Sequence, residues 1–489
     1  MKKKTIVIGA GVAGLATALR LAKEGCEVQV FESNNFYGGK INSKWLGPYR
    51  FDRGPSVFTG PTYIKELYDL VGADFKDFEL VELDHSFHYF FNDNQRIVLP
   101  TEKEAMIEEL SSKLNENPDT IRKHLIKNGK NYEAIAPLFI EQSLHLWSKV
   151  IGKPLFKALS RIFKYKLFST MHQVNQRTFK NPRTAQIFNR FATYNGSDPY
   201  QAPAMLNMIA HLEMNQPLYL PKNGMIQITK SIYDLAVAEG VQFHFEEKVD
   251  RILHEGNHLT GVETEKGTYT ADAIFSNMDV SFTYEKLLPN VNHPTKILAQ
   301  ERSSSAIVFY WGITKSFPEL DLHNIFFADN YAEEFDYIFN KKELYHDPTI
   351  YVNITSKYVI DDAPDGHENW FVMINAPTLN NQNWDEIVPR LKEIHLKKLG
   401  RILGEDIEPL IATEEIMDPP TIERRYSGKG GAIYGNASNN RFAAFYRHAN
   451  FSKEIDNLYF VGVSVHPGGG IPLALNSAKI AVEEFRKRQ

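Results

Sequence analysis

Residues 4–14 read KTIVIGAGVAG, residues 15–25 continue LATALRLAKEG, and residues 26–33 close the stretch with CEVQVFES. The first part is a short β-branched run typical of a buried strand, and the apolar residues of the second part recur at helical spacing. A second β-rich run follows at once. The stretch therefore predicts a strand–helix–strand unit at the start of an α/β fold.

The same stretch has a second interpretation, because three lysines precede the apolar run as in a secretory signal. Charged residues interrupt the run at Arg20, Lys23 and Glu24, and a strand follows directly. A cleaved signal needs no such strand–helix–strand order. We therefore favour the nucleotide-binding interpretation over a signal or an anchor.

The glycines of GAGVAG have separate physical roles in such a unit. Gly9 allows the tight turn after the strand, Gly11 lets the backbone approach a pyrophosphate, and Gly14 lets helix and strand pack closely, with Ala13 in the same loop. The helix N-terminus then directs free N–H groups at the phosphates. Glu32 ends the second strand, where a carboxylate can accept the ribose hydroxyls. The pattern predicts a dinucleotide site.

A second glycine pair follows, with Gly38 and Gly39 before Lys40. It would supply another close backbone approach and a cation near phosphate, although GGK alone also suits a hairpin turn. The next turn-rich segment, FDRGPSVF at residues 51–58, adds further candidate cofactor-binding residues, namely Asp52, Gly54, Pro55 and Ser56.

Together these motifs resemble the N-terminus of the flavin amine oxidase and phytoene desaturase superfamily. The segment that begins LPKNGM at Leu220 resembles the family's Pro-x-Gly-Gly-Met helix, and the strand near Val249 resembles the segment that meets adenine. Lys222-Asn223-Gly224 stands where the family has paired glycines, which leaves the local turn open. The resemblance implies FAD as the cofactor.

The segment from Leu458, LYFVGVSVHPGGGIP, resembles the closing signature of bacterial carotenoid desaturases. Strand, glycine loop and helix occur here again, and this helix N-terminus would stabilise negative charge on a reduced flavin. A plain terminal strand–helix unit is the other interpretation. The predicted cofactor contacts in this segment are Gly462, Gly469, Gly470, Ile471 and Pro472.

The predicted fold is α/β, with a Rossmann-type FAD-binding domain, a mixed-sheet substrate domain and a helical, membrane-facing subdomain. The FAD-binding domain is discontinuous and spans residues 1–72, 220–285 and 452–489. The substrate-binding domain spans 73–101 and 286–451, and the helical subdomain spans 102–219.

Composition narrows the classes of function. A net charge of −5 gives no case for nucleic-acid binding, and Cys26 is the only cysteine, which excludes an internal disulfide. Aromatic residues make up 12% of the chain, which suits either a large core or an apolar substrate tunnel. We expect no membrane-spanning helix, since no apolar stretch outside the N-terminal run approaches the 18 residues that a spanning helix needs. The expected location is the cytoplasm, with peripheral attachment to the inner face of the plasma membrane.

The expected membrane contact lies in an acid-free stretch. Residues 142–197 contain ten Lys or Arg and no Asp or Glu. Within them, the segment Lys153–Lys166 is predicted to form one basic amphipathic helix, with one apolar side (Phe156, Leu159, Phe163 and Leu167) and one basic side (Lys153, Lys157, Arg161 and Lys164). An ordinary helix that packs its apolar side on the core is the alternative.

The overall resemblance is strongest to bacterial 1-hydroxycarotenoid 3,4-desaturases. It implies removal of two hydrogens from a CH₂–CH₂ next to a polyene, by hydride transfer to flavin N5 and then proton loss, with oxygen or quinone as electron acceptor. The substrate would be a long apolar carotenoid. Three alternatives stay open: a phytoene-type desaturase, an amine oxidase, and a carotenoid-binding flavoprotein without catalysis.

Catalytic candidates are few. Glu213 and His466 are candidates for proton acceptance or orientation, although we favour a solvent-exposed carboxylate for Glu213 and a flavin contact for His466. His85 and His88 would face opposite ways on a regular strand, so we predict no metal site.

Overall fold

The computed structural model describes residues 2–146, 152–443 and 446–488. Lys149, one of the ten basic residues counted above, lies outside these ranges, as do Met1 and Gln489 at the ends of the predicted FAD-binding domain. The side chains of Lys153 and Pro154 also lie outside the described part. The basic side of the predicted helix is therefore described only from Lys157 onward.

The strands are numbered in chain order. They are β1 Lys4–Ile8, β2 Glu27–Phe31, β3 Asn42–Leu46, β4 Tyr49–Arg53, β5 Leu80–Glu82, β6 His85–Phe90, β7 Arg96–Pro100, β8 Tyr219–Pro221, β9 Gln242–His244, β10 Val249–Glu255, β11 His258–Thr264, β12 Gly267–Thr270, β13 Ala273–Ser276, β14 Ser305–Ile313, β15 His323–Phe326, β16 Ile350–Ile354, β17 Glu368–Ala376, β18 Ile411–Met417 and β19 Leu458–Phe460.

The helices of eight or more residues are Val12–Lys23, Thr62–Val71, Lys103–Leu114, Pro118–Phe139, Met171–Thr178, Pro182–Asn189, Ile226–Ala238, Trp384–Leu403, Pro419–Tyr426 and Ile471–Lys487. Shorter helical segments include Lys153–Leu159, His211–Met214, Val280–Phe282, Thr295–Leu298 and Tyr331–Asp336.

A five-stranded parallel sheet carries the glycine-rich loops. Its order is β19-β13-β1-β2-β9, so strands from both ends and the middle of the sequence lie side by side. Ile6 and Val7 of β1 are fully buried, as expected for a parallel sheet covered on both faces. The helix Val12–Lys23 packs against the helices Ile226–Ala238 and Ile471–Lys487. The predicted α/β class is confirmed, whereas the domain bounds stay a prediction.

The largest sheet of the described chain has seven strands and is mixed. Its order is β18-β14-β17-β16-β15-β6-β7, and only β15 and β6 pair in parallel. Every residue of β14 is buried. One face of this sheet packs against the helix Trp384–Leu403 in an aromatic-rich core.

The prediction that His85 and His88 face opposite ways is wrong. The pairing of β6 with β7 slips between His85 and Phe87, which is a β-bulge. One extra residue restores His85 and His88 to the same side of the strand, because the period-two alternation is interrupted. Their ring centroids lie 5.7 Å apart, and both rings approach Asp321.

The predicted single helix over Lys153–Lys166 is also wrong in its length. The helix ends at Leu159, and a 3-10 turn follows at Ile162–Lys164. Arg161 has non-helical backbone angles, and its Nε donates a hydrogen bond to Asn131 Oδ1 at 3.1 Å. Six large apolar side chains of this part of the chain are exposed instead of packed on the core (Phe156, Leu159, Ile162, Phe163, Leu167 and Phe168).

Across the three described ranges, none of the helices combines the length and hydropathy that a membrane crossing requires.

Candidate functional site

The loop after β1 has the geometry expected of the first and third motif glycines, Gly9 and Gly14. Gly9 has φ +94°, a conformation that glycine adopts at no steric cost. A Cβ added to Gly14 would lie 2.0 Å from the carbonyl oxygen of Gly9. Helix and strand therefore approach more closely here than any side chain would permit, as the sequence predicted.

Asn277 completes this loop, and sequence reasoning missed it. Its Oδ1 accepts a hydrogen bond from the Gly14 N–H at 3.0 Å. A Cβ on Gly11 would lie 2.7 Å from the same oxygen, and one on Gly462 would lie 2.4 Å from Asn277 Nδ2. Asn277 directly follows β13, so its place at a strand end was the signal that could have found it.

Glu32 stands at the end of β2 as predicted. Its Oε2 accepts a hydrogen bond from the Ala10 N–H at 2.8 Å, and its Oε1 accepts from the Asn34 N–H at 2.8 Å. Gly38 and Gly39 both have positive φ, and a Cβ on Gly39 would lie 3.2 Å from the Cα of Gly11. The two glycine loops therefore touch each other.

The glycine loops open into a cavity of about 1100 Å³. Most of the predicted cofactor-binding residues line it, namely Gly9, Gly11, Ala13, Glu32, Gly38, Gly39, Lys40, Gly54, Pro55, Ser56, Val249, Gly462, Gly469, Gly470, Ile471 and Pro472. His466 also lines the cavity, whereas Gly14, Asp52 and Glu213 are not among its lining residues.

Asp52 is a buried anchor for the turn that the sequence left open. Its Oδ1 accepts from Arg50 Nη1 at 2.8 Å, and its Oδ2 accepts from the Met225 N–H at 2.6 Å. Gly224 has φ +88°, and a Cβ there would lie 2.0 Å from Arg50 Nη2. The turn thus needs one glycine, at Gly224, and tolerates Asn223 before it.

Lys40 makes a contact that differs from the predicted one. Its Nζ donates a hydrogen bond to the carbonyl oxygen of Ile433 at 2.7 Å. Burial lowers the pKa of Lys40 to about 8. Its role near a phosphate stays a prediction.

The C-terminal loop lines the cavity, and His466 is one of its lining residues. Its Nε2 lies 2.7 Å from the carbonyl oxygen of Gln142, so this nitrogen carries the hydrogen and donates it. The Nδ1 atom is buried and has no hydrogen-bond partner among the described residues. Burial lowers the pKa of His466 to about 3, so the imidazole is neutral at physiological pH.

The expected exposure of Glu213 is wrong. Glu213 is buried, and its Oε1 accepts from Arg190 Nη2 at 2.6 Å, while the hydroxyl of Tyr194 donates to its Oε2. The same Arg190 nitrogen lies 2.9 Å from the Tyr89 hydroxyl, and the guanidinium carbon lies 4.2 Å from the Phe87 ring centroid. The carboxylate therefore acts as the buried partner of a cavity-lining arginine.

Polar groups also interrupt the apolar wall near the glycine loops. The hydroxyls of Ser56 and Tyr351 lie 2.8 Å apart, and the Tyr351 hydroxyl lies 2.7 Å from His323 Nδ1. Most of the remaining wall is apolar, and it includes Ile135, Phe139, Met205, Leu206, Met208, Ile209, Leu212, Ile325, Phe371 and Met373. Long-range pairing brings these groups together, and Ser56 is the one among them that the sequence predicted as a site residue.

The cavity wall at the glycine loops suits a dinucleotide. A side chain has no room at Gly11 or Gly462, and both line the cavity beside the N-terminus of the helix Val12–Lys23. The family of flavin-containing amine oxidoreductases matches residues 12–485. The chain belongs to this family. The match covers almost the whole chain.

Individual relatives give a finer comparison. The chain is 49% identical to the 1-hydroxycarotenoid 3,4-desaturase of Flavobacterium sp. strain P99-3, over 98% of each chain. It is 31% identical to the 4,4'-diaponeurosporene oxygenase of Staphylococcus aureus strain bovine RF122 / ET3-1, over 100% of this chain and 99% of that one. Among solved structures, the cyclohexylamine oxidase of Brevibacterium oxydans IH-35A matches with a TM-score of 0.61 and 15% identity, over 100% of this chain and 99% of that one. The last likeness concerns the fold alone.

Proposed function

We propose that this chain is an FAD-dependent carotenoid desaturase that removes two hydrogens from a CH₂–CH₂ next to a polyene. The observation that carries the proposal is the 49% identity over 98% of both chains to a 1-hydroxycarotenoid 3,4-desaturase. By the same relationship, the bond is the 3,4 bond of a hydroxycarotenoid. Phytoene-type desaturation is the nearest alternative.

The residues that would hold FAD are the glycine loops around Gly9 and Gly38, Glu32, Val249 and the C-terminal loop at Gly469. Glu32 is already fixed by the Ala10 and Asn34 N–H groups, which orients its carboxylate towards the cavity without a ligand. When bound, FAD would accept one substrate hydrogen together with its two bonding electrons, that is, as a hydride. The protein's own contribution is then to hold the reacting bond at that acceptor and to exclude water.

The apolar part of the cavity supports a polyene substrate. It is continuous with the glycine loops, so one long ligand can reach the cofactor from an apolar environment. A hydroxyl group at one end of the substrate would meet the polar side chains of this wall, such as Ser56 and Tyr351. A compact polar amine would leave most of this apolar surface unfilled, which disfavours amine oxidation.

The segment Phe156–Phe168 supports contact with a membrane surface. Its large apolar side chains face solvent, and Lys157, Lys164 and Lys166 are exposed beside them. Burial, together with the neighbouring cations Lys166, Lys164 and Arg161, lowers the pKa of Lys127, which indicates a dense positive cluster. Exposed apolar groups beside basic ones suit an anionic lipid interface.

This segment also lies against the cavity wall. Tyr165 packs on Ile135 and Met208, and both of these line the cavity. A lipid-dissolved substrate could thus pass from the membrane to the site without crossing water. We infer peripheral attachment to the inner face of the plasma membrane, with oxygen or quinone as the final acceptor.

Anaerobic mixing tests the proposed reaction. FAD-loaded protein is mixed in detergent micelles with a 1-hydroxycarotenoid, with phytoene, or with cyclohexylamine, and both absorbance bands are followed. We expect the flavin band to bleach and the polyene band to move to longer wavelength with the hydroxycarotenoid. Bleaching with the amine only would overturn the desaturase proposal. Carotenoid binding without any bleaching would instead indicate a carrier.

A further inference from the structure

The β-bulge in β6 creates a cluster of two histidines and one aspartate. His85 and His88 lie on the same side of the strand, and Asp321 precedes β15, which pairs with β6 in parallel. The ligand atoms of the three side chains all lie within 4.8 Å of one another. We propose that His85, His88 and Asp321 form a binding site for a divalent transition-metal ion of the zinc type.

The distances suit such an ion. His85 Nδ1 lies 3.4 Å from Asp321 Oδ2, and His88 Nε2 lies 3.8 Å from the same oxygen. Zinc binds imidazole nitrogen and carboxylate oxygen at about 2.0–2.2 Å, so two ligands at a tetrahedral angle lie about 3.4 Å apart. The three side chains need shifts of less than about an ångström to reach this geometry.

Hydrogen bonds already orient His88 for ligation. Its Nδ1 lies 3.1 Å from the carbonyl oxygen of Glu319, so Nδ1 carries the hydrogen and donates it. The Nε2 atom then carries the lone pair, and it is buried without a hydrogen-bond partner among the described residues. A hydrogen bond of this kind, from the ring nitrogen that does not bind the metal, is what fixes metal-binding histidines in their tautomer.

Asp321 is fixed in the same way. Its Oδ1 accepts a hydrogen bond from the Leu322 N–H at 2.7 Å, which leaves Oδ2 directed at both histidines. The backbone of Asp321 is held by Asn324, whose Oδ1 accepts from the Asp321 N–H at 3.0 Å. The carboxylate therefore needs little reorganisation to bind an ion.

The ligand set selects the class of ion. Two imidazoles and one carboxylate suit zinc, cobalt, nickel or copper, whereas magnesium and calcium prefer oxygen ligands alone. The His85 side chain is 43% exposed, so water can complete the coordination from the solvent side. Phe87, the neighbour of His88, lines the cavity, so strand alternation puts the metal site on the other side of β6 from the substrate.

A site of this kind would join β6 to the loop before β15. Without an ion, the contacts of Asp321 Oδ2 with these histidines are the approaches of 3.4 Å to His85 Nδ1 and 3.8 Å to His88 Nε2. A metal-binding site takes up Zn²⁺, whereas a His–Asp contact alone does not. Titration of the protein with Zn²⁺ therefore distinguishes the two.

The experiment uses untagged, FAD-loaded full-length protein that has been freed of metals with a chelator. Zn²⁺ is titrated calorimetrically into wild type, His85→Gln, Asp321→Asn and the matched control His258→Gln, whose histidine is exposed on another sheet. We expect one Zn²⁺ per chain in wild type and control. Affinity should fall by about tenfold or more in the two site variants.

Cobalt absorbance on the wild-type protein gives a second readout that does not depend on any variant's folding. We expect an intense visible band typical of a low-coordinate Co²⁺ site, which one equivalent of Zn²⁺ abolishes. No stoichiometric Zn²⁺ binding in wild type, or equal affinity in Asp321→Asn and the control, would overturn the proposal. A cobalt spectrum no stronger than that of the free aqueous ion would overturn it as well.

Discussion

Substitution of three exposed phenylalanines tests the inferred membrane contact. Phe156, Phe163 and Phe168 are 71%, 89% and 86% exposed, so their replacement by serine removes little from the core. Full burial of a phenylalanine side chain contributes about 1.5–3 kcal/mol. Transfer of these three exposed side chains into lipid should therefore contribute at least about 4 kcal/mol, or roughly a thousandfold in partition to vesicles.

The charges beside them give a separate and distinguishable effect. Lys157, Lys164 and Lys166 should each contribute about 1 kcal/mol near an anionic surface. Their replacement by glutamine should weaken binding to anionic vesicles by roughly a hundredfold at low salt and by much less at high salt. The phenylalanine variant should instead lose binding to neutral and anionic vesicles alike.

Flotation of the protein with phosphatidylcholine vesicles, with and without phosphatidylglycerol, measures both effects. Ile360→Ser is the matched control, because Ile360 is 84% exposed and lies outside the segment Phe156–Phe168. Flavin absorbance and thermal unfolding verify that each variant keeps its fold. A partition coefficient of the triple phenylalanine variant within about threefold of wild type would refute the reasoning, as would an equal loss in Ile360→Ser.

Three further predictions concern buried residues outside the cavity lining, namely Glu213, Gly14 and Glu334. Glu213→Ala leaves the Arg190 guanidinium buried without its carboxylate, so the free energy of unfolding in urea should fall by about 3–5 kcal/mol. Joint replacement of the pair by leucine and methionine should restore most of it, and a loss below about 1 kcal/mol in Glu213→Ala would contradict this account. Gly14→Ala forces a methyl group against the carbonyl of Gly9, so purified protein should hold less than about a tenth of the wild-type FAD by absorbance; full FAD content would mean that the helix can move away. Burial raises the pKa of Glu334 from 4.5 to about 7, so its stabilising effect is complete below pH 4.5 and is lost as the pH rises through 7. The stability of wild type relative to Glu334→Gln should accordingly fall by about 3 kcal/mol over this range in urea titrations, and parallel pH profiles would argue against it.

The parts of the site that sequence predicted are those set by local chain geometry. A tight turn after a strand requires the φ of +94° found at Gly9, and the close approach of helix and strand excludes any side chain at Gly14. Both constraints act within the six residues Gly9–Gly14, so the motif alone is enough to predict them. Glu32 was predictable for a similar reason, because it ends the strand next to that loop.

The errors arose where distant or irregular contacts decide the outcome. The ion pair of Glu213 with Arg190 joins residues 23 positions apart, and no periodicity marks either of them. Regular strand alternation misplaced His85 because it cannot include the bulge before Phe87. Helical spacing also predicted a helix beyond Leu159, where the backbone of Arg161 departs from helical angles and its side chain bonds to Asn131 on another helix.

The carboxylates of the cavity bear on how the substrate loses its proton. In the described part of the chain three carboxylates line the cavity, and each already accepts a hydrogen bond from the protein: Glu32 from Ala10, Asp279 from Arg302, and Glu423 from Gly430. Glu213 is likewise neutralised by its arginine. Each of these four carboxylates therefore already has a partner within the protein.

The free lone pair of His466 Nδ1 belongs to an imidazole whose pKa burial lowers to about 3, which makes it a weak proton acceptor. Weak acceptors suffice where the group that loses the proton is a cation delocalised over a polyene, since such a cation is itself a strong acid. A saturated amine would offer no such delocalisation. Proton loss from such a conjugated substrate therefore needs no strong base, and His466→Phe should lower the turnover rate by less than about tenfold if this reasoning holds. A loss of a thousandfold with FAD content and carotenoid binding unchanged would instead identify His466 as an essential base.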